Sequence, residues 1–289
     1  MTPPTLTPSR SHRGHDLLSI EPLTPASFSP FGTAISAPFP NTLNNVPTKV
    51  PEPLHSPHQP APVFANQNSA LKTSPISQFV DNYPTKASAA HCSKPQMSMF
   101  SCFPRNLSGV GIVGIDIGTD TSSRHQGQQQ QKQQQARGQK LAFKVSILER
   151  HPYTTQTFSP LGLSAAGDDE STVFLVIVAP SLSSPASAKS SATGEDDVQI
   201  QNPPDLSRLR AFVARGGQAV TYGPGTWHAP MAVIGRRRVD FVVTQFVNGV
   251  ADDDCQELLL GDNAVSVDLS ALNLDLDSDQ ASRQNRAKL

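Results

Sequence analysis

The chain has little of what marks secreted, membrane-spanning or nucleic-acid-binding proteins. Of its 289 residues three are cysteines, Cys92, Cys102 and Cys255, with no Cys-x-x-Cys pair. That odd, scattered set fits free thiols in a reducing compartment and argues against a disulfide framework or a cysteine-held zinc site. Charged residues are only 16% and the net charge is −1, so no electrostatic case exists for nucleic acid or an anionic membrane as partner. The first residues, Met1-Thr2-Pro3-Pro4-Thr5-Leu6-Thr7-Pro8, hold no apolar h-region, which argues against secretion. No apolar run reaches the length of a membrane span; the longest, Val173 to Ala179, is of strand size. These absences predict an intracellular protein, either cytoplasmic or, through the C-terminal Ala287-Lys288-Leu289 that resembles a Ser-Lys-Leu address, peroxisomal.

What the chain has in excess is proline, 26 residues, much of it in Ser-, Thr- and Gln-rich runs that dilute an apolar content of 37%. Residues 1–14 read as a disordered tail and 266–289 as a C-terminal tail. Between them, 15–265 reads as a single domain with low-complexity insertions near 38–62, 118–138 and 181–198; the middle one holds the Gln126 to Gln135 run. The rest is strand-like. Leu141 to Leu148 and Thr172 to Ala179 are rich in apolar and β-branched residues. Arg210 to Arg215 and Gln218 to Tyr222, joined by Gly216-Gly217, predict a hairpin, and Val239 to Val247 alternates. Thr24 as N-cap, Pro25 at the first position and Gly32 as stop predict one short helix; Asp205 to Leu209 predicts a capped helical turn. The expected class is mostly β, a barrel or sandwich with a few short helices and disordered insertions.

Two segments carry the chemistry. Tyr222-Gly223-Pro224-Gly225-Thr226-Trp227-His228-Ala229-Pro230-Met231 holds the single tryptophan beside a histidine pinned by Gly and Pro turns. Leu148-Glu149-Arg150-His151-Pro152 puts Glu149 and His151 two apart at a strand end, so that both face one way. Gln156 follows past the Pro152 corner and can return to that face. Small barrels of the cupin type build a site from a His-x-His, a later Glu and a lone His on another strand. Here Glu149, His151, Gln156 and His228 stand at those places, and His151, Gln156 and His228 are candidate ligands of a divalent metal.

These residues, with Thr155-Gln156-Thr157-Phe158, Pro204 to Phe212, Asp240-Phe241, Asp254-Cys255, Ala65-Asn66-Gln67-Asn68 and Cys102-Phe103-Pro104, resemble the ureidoglycolate lyase family from about Glu21 to Leu260. The resemblance implies a cupin-like double-stranded β-helix barrel, a homodimer, and cleavage of (S)-ureidoglycolate to glyoxylate and urea in allantoin breakdown. It also implies a divalent metal, nickel among those associated with the family. His228, His151, Glu149 and Gln156 are then the catalytic candidates; Asn66, Arg105, Tyr222, Trp227 and Asp240 are the substrate-binding ones. One departure stands out. Where the family often has an arginine before Cys-Phe-Pro, suited to a bidentate grip on a carboxylate, this chain has Ser101. Arg105 is four residues on, roughly 13 Å along a strand.

Ureidoglycolate carries a hydroxyl, a ureido nitrogen and a carboxylate on one carbon. Its cleavage needs a base for the hydroxyl proton and an acid for the departing nitrogen. Either His228 or His151 suits the base, with Glu149 orienting or accepting and Gln156 donating to the substrate; a metal acting as a Lewis acid is the other route. The competing readings are a non-catalytic or divergent cupin-like binding protein and a metal-dependent cupin oxidoreductase.

Overall fold

A computed structural model describes residues 3–7, 17–84, 92–105, 107, 113–114, 139–165, 171–190 and 197–272. The Gln-rich run, most of 1–14 and the terminal Ala287-Lys288-Leu289 lie outside the described residues.

A ten-stranded and a five-stranded sheet share one aromatic core. The larger runs, in spatial order, Asp197–Ile200, Ala186–Lys189, Thr5–Leu6, Gln256–Leu259, Ile147–Arg150, Trp227–His228, Thr172–Ala179, Arg210–Ala214 and Ile20–Pro22, with Ala232–Gly235 also paired to Thr172–Ala179. The smaller runs Gly32–Ser36, Gln218–Tyr222, Gln156–Leu161, Val239–Val247 and Lys94–Cys102. The mostly-β expectation holds, and two sheets closing on a shared core are consistent with a cupin-like fold. The two α-helices among the described residues have four residues each. No helix there is long and apolar enough to cross a membrane.

The strand Thr172–Ala179 shows why the apolar run was uninterrupted: every residue in it is buried. Phe174, Val176 and Val178 face the core between the sheets, while Val173, Leu175, Ile177 and Ala179 face a second core behind the larger sheet. A strand covered on both faces has no solvent side on which to place polar residues. In the inter-sheet core Phe174 meets Phe241 edge-on at 5.2 Å, and Phe158 meets Phe241 at 5.9 Å. Each such side chain contributes about 1.5–3 kcal/mol by leaving water.

Several local expectations are corrected. Arg210–Ala214 and Gln218–Tyr222 are strands but not a hairpin. The first pairs with Thr172–Ala179 and Ile20–Pro22; the second pairs with Gln156–Leu161 and Gly32–Ser36. Phe212 and Tyr222 both belong to the inter-sheet core, so the two strands take opposite sheets, and Gly216-Gly217 turns a corner between them. A Cβ on Gly216 would lie 1.8 Å from the Ser164 carbonyl oxygen. The stretch 141–148 likewise breaks at Ser146: Ala142–Val145 pairs with Val265–Asp268, and Ile147–Arg150 enters the larger sheet. The helix starts as expected, Thr24 accepting from the Ser27 N–H, but it ends at Phe28. Gly32 instead opens a strand at φ 146°, where a Cβ would lie 2.0 Å from the Thr221 carbonyl oxygen.

Part of the supposed filler is structured. Ala186–Lys189, inside 181–198, and Asp197–Ile200, which overlaps its end, form an antiparallel pair, with Ala188 fully buried. Thr5–Leu6 pairs with that stretch and with Gln256–Leu259. Asp205 caps the 3-10 turn Leu206–Arg208 as read from the sequence, and 38–62 carries no helix or strand.

Candidate active site

The chain crosses between the sheets twice at the place where the two sequence segments lie. The first corner leads from Ile147–Arg150 in the larger sheet, through His151 to Thr155, into Gln156–Leu161 in the smaller one. The second leads from Gln218–Tyr222 back to Trp227–His228. Between them Thr226 N–H donates to the Gly223 carbonyl, and Gly225 at φ 75° follows Pro224, the signature of a type II turn. Gly225 N–H donates to the His151 carbonyl at 2.8 Å, which joins the two corners directly.

Strand alternation sorts the side chains. Leu148 and Trp227 belong to the core behind the larger sheet. The Arg150 guanidinium lies 4.8 Å over the Trp227 ring and donates to Gln256 Oε1 and to the Asn202 and Gln201 carbonyls. Trp227 Nε1 donates to the same Asn202 carbonyl at 2.8 Å. Trp227 is therefore placed as a buried packing residue facing away from the histidines. Glu149 faces the other way, directly opposite His228 in the strand register.

On that inner side the predicted residues converge. The His151 and His228 rings lie 5.5 Å apart, centroid to centroid, and the Tyr222 ring stacks on His228 at 4.0 Å with 2° between planes. Glu149 Oε1 is 3.6 Å from His228 Nδ1. Gln156 Nε2 donates to Gln245 Oε1 at 2.6 Å across adjacent strands. His151 Nδ1 donates to the Asp254 carbonyl oxygen, which can only accept, so the lone pair of this neutral ring is on Nε2. Asp254 is itself held, its carboxylate accepting from Tyr83 Oη and from the Asn248 and Gly249 N–H groups.

Three buried polar atoms here have no hydrogen-bond partner: His151 Nε2, His228 Nε2 and Gln156 Oε1. Buried groups of this kind are nearly always satisfied, so their gathering here makes a place fitted to a group that supplies positive charge or donors. Glu149, His151 and His228 offer ligand atoms all within 4.8 Å of one another. Two imidazoles and a carboxylate are a fitting donor set for a divalent ion.

Burial also sets the protonation states. It pushes His228 well below the ordinary histidine range, with His151 adding to the effect, and it lowers His151 as well. Both rings are neutral at pH 7. The same burial, with the charge of Glu257 second, lifts the Glu149 carboxyl to about 7. The site thus combines neutral bases with a carboxyl group that keeps a proton near neutrality.

The other sequence candidates lie elsewhere. Asn66 is exposed at φ 49° on the turn between Val63–Ala65 and Ala70–Lys72. Arg105 is exposed, its backbone and guanidinium donating to the Val233 and Met231 carbonyls. Asp240 lies opposite Ser101, takes a hydrogen bond from Arg238, and is five strand positions from Gln245, about 17 Å. Among the described residues, no hydrogen bond or ring contact joins these three to the histidines. Sequence reasoning missed Gln245 and the Asp254 carbonyl. Gln245 had a signal: it is a polar residue in the same parity as buried Val239, Phe241 and Val243.

The sequence profile of the ureidoglycolate lyase family matches residues 15–268. The ureidoglycolate lyase of Saccharomyces cerevisiae is 31% identical over 252 residues, covering 86% of this chain and 96% of the yeast protein. That of Schizosaccharomyces pombe is 34% identical over 194 residues, 67% of this chain and 75% of its own length. A Burkholderia mallei protein of the same name is 35% identical over 109 residues, 37% of this chain and 47% of the bacterial one.

Proposed function

The chain belongs to the ureidoglycolate lyase family, and from that premise we propose that it cleaves ureidoglycolate into glyoxylate and urea at the His151–His228–Glu149 pocket. The observation that carries the reading is the convergence of unpartnered buried acceptors on His151, His228 and Gln156 beside the high-pKa carboxyl of Glu149. A neutral histidine takes the substrate hydroxyl proton; we assign this to His228, with His151 beside it. As the C–O bond becomes a carbonyl the C–N bond breaks, and the departing urea nitrogen takes the proton held by Glu149. The imidazolium then gives up a proton through Nδ1, which lies 3.6 Å from Glu149 Oε1, and exchange with solvent after product release restores the starting tautomer. Glu149, read from the sequence as orienting or accepting, takes the acid role because both rings are held neutral.

A divalent ion, nickel among the borderline metals that imidazoles favour, fits Glu149, His151 and His228 with the Gln156 carbonyl; if bound it would occupy the His228 lone pair and require an ionised Glu149, so its Lewis acidity toward the substrate hydroxyl would stand in place of the proton transfers above. We further propose a cupin-like homodimer. Lys94–Cys102 is an edge strand of the smaller sheet and exposes Met97, Met99 and Phe100, an arrangement that natural sheets usually cover. The sequence alternatives, an oxidoreductase or a non-catalytic binder, are not favoured by relatives named as lyases.

The test is direct. Purified protein is given racemic ureidoglycolate, and glyoxylate and urea are measured with and without a chelator. Release of both products in equal amounts is expected. Parent-rate release by His228→Ala would refute the assignment of the site.

A further inference from the structure

We infer that Gln245 is a positioning residue: by accepting from Gln156 Nε2 it turns the Gln156 carbonyl toward the two histidines and so makes the pocket acceptor-only at its inner wall. The inference rests on the catalytic reading above and extends it to a residue of Val239–Val247 that the sequence did not single out.

Three observations meet at this pair. Gln156 and Gln245 are direct register partners on adjacent antiparallel strands, where side chains on one face stand about 4.5–5.5 Å apart at Cβ. Their amides touch at 2.6 Å with Gln156 as the donor. The oxygen of the same Gln156 amide is buried and unpartnered, as is His151 Nε2. A lone half-turn of the Gln156 amide would set its oxygen against the Gln245 oxygen, acceptor against acceptor. With the Gln245 oxygen turned to it, Gln156 presents a carbonyl, not an NH₂ group, to the site, and only a joint half-turn of both amides would reverse this.

That choice has chemical content. Were the NH₂ group turned inward it would donate to His151 Nε2 and consume the lone pair that a base or a ligand needs. With the carbonyl inward, His151, His228 and Gln156 all await a donor or a cation, which the substrate's hydroxyl and ureido N–H groups or a divalent ion can supply. Along Val239–Val247, the positions of this parity before Gln245 are Val239, Phe241 and Val243, all at most 2% exposed. An apolar residue at 245 would continue the core pattern, so packing alone gives no reason for an amide there.

The test is a double-mutant cycle with an NMR reading. Gln245→Met keeps length and removes the acceptor; it is expected to lower kcat/KM by about 10- to 100-fold, the usual scale for a residue that orients a site group. In a Gln156→Glu background both terminal atoms at 156 are oxygens, so Gln245→Met is expected to change kcat/KM less than about twofold. Equal losses in the two backgrounds, or parent activity in Gln245→Met, would overturn the inference. Independently of turnover, the Gln156 side-chain amide, identified by its absence in Gln156→Glu, is expected to exchange slowly with solvent in the parent and in Gln245→Glu, which keeps the acceptor, and rapidly in Gln245→Met. A fast-exchanging amide in the parent protein would also overturn it, even if Gln245→Met fails to fold. Parent activity in Gln156→Leu would instead refute the catalytic reading, while the NMR result still reports the amide's orientation.

Discussion

The interior between the two sheets has two ends that are equally dry and chemically opposite. Around Phe158, Phe174 and Phe241 every group is apolar and the rings meet edge-on. Around Tyr222, His228, His151 and Gln156 burial is as complete, yet three polar atoms go without partners. The first end gains free energy from burial; the second forgoes it. Unsatisfied buried polar groups cost about 1–3 kcal/mol each, the opposite of what packing returns at the first end. Stability and chemistry are thus separated along one core rather than between domains.

The largest expected effects break this comparison from its two ends. His228→Ala should reduce glyoxylate release by about 10²- to 10⁴-fold, the range for loss of a general base, with little change in the thermal midpoint. Phe174→Ala should do the reverse: about 3–5 kcal/mol less stability by denaturant melting, with the turnover of the folded fraction nearly intact. If His228→Ala destabilises as much as Phe174→Ala does, the histidine is a core residue and the division fails.

How much of this was legible in the sequence follows from the same contrast. The Gly and Pro corners and the strand-end His151 and His228 were readable because turns need particular residues and a pinned histidine has a set direction. Trp227, offered as a substrate-binding residue, packs in the core behind the larger sheet, since neighbours in a strand face opposite ways and His228 took the inner face. The hairpin over 210–222 was misread because a Gly-Gly turn does not say whether a chain folds back within a sheet or crosses to another. Gln245 was hidden in an alternating strand whose inward parity looks apolar until its position beside Gln156 is known. Asp254 contributes through a backbone carbonyl, which no side-chain pattern can announce.

A smaller effect sharpens the comparison through pH. Glu149 has a folded-state carboxyl pKa of about 7 against an ordinary 4.5. A raised pKa means that the folded state holds its proton more tightly. Its contribution is fully present below about pH 4.5 and is lost as pH rises through 7, about 3 kcal/mol in all. Glu149→Gln should therefore stabilise the protein at pH 8 relative to the parent and leave it nearly unchanged at pH 4, as read by thermal melts at the two pH values. Catalysis should move oppositely, because the amide cannot protonate the departing nitrogen.

The smallest effect isolates one cause of that pKa. Glu257 lies directly opposite Glu149 in the neighbouring strand and is exposed, and its charge is second to burial in raising the Glu149 carboxyl. The proton on Glu149 is the one delivered to the departing urea, so kcat/KM should fall on the alkaline side near pH 7. Removing the Glu257 charge makes ionisation of Glu149 easier, and Glu257→Gln should therefore shift that limb to lower pH, by less than about one unit, since burial, the first cause, is untouched. Because Glu257 is exposed to water and ions, the shift should shrink as salt rises toward 1 M, where the screening length is about 3 Å. A shift that persists at high salt would mean that the variant altered the burial of Glu149 instead. A limb that does not move at low salt would mean that desolvation alone, the same force that packs Phe174 at the other end of the core, sets the acid of the site.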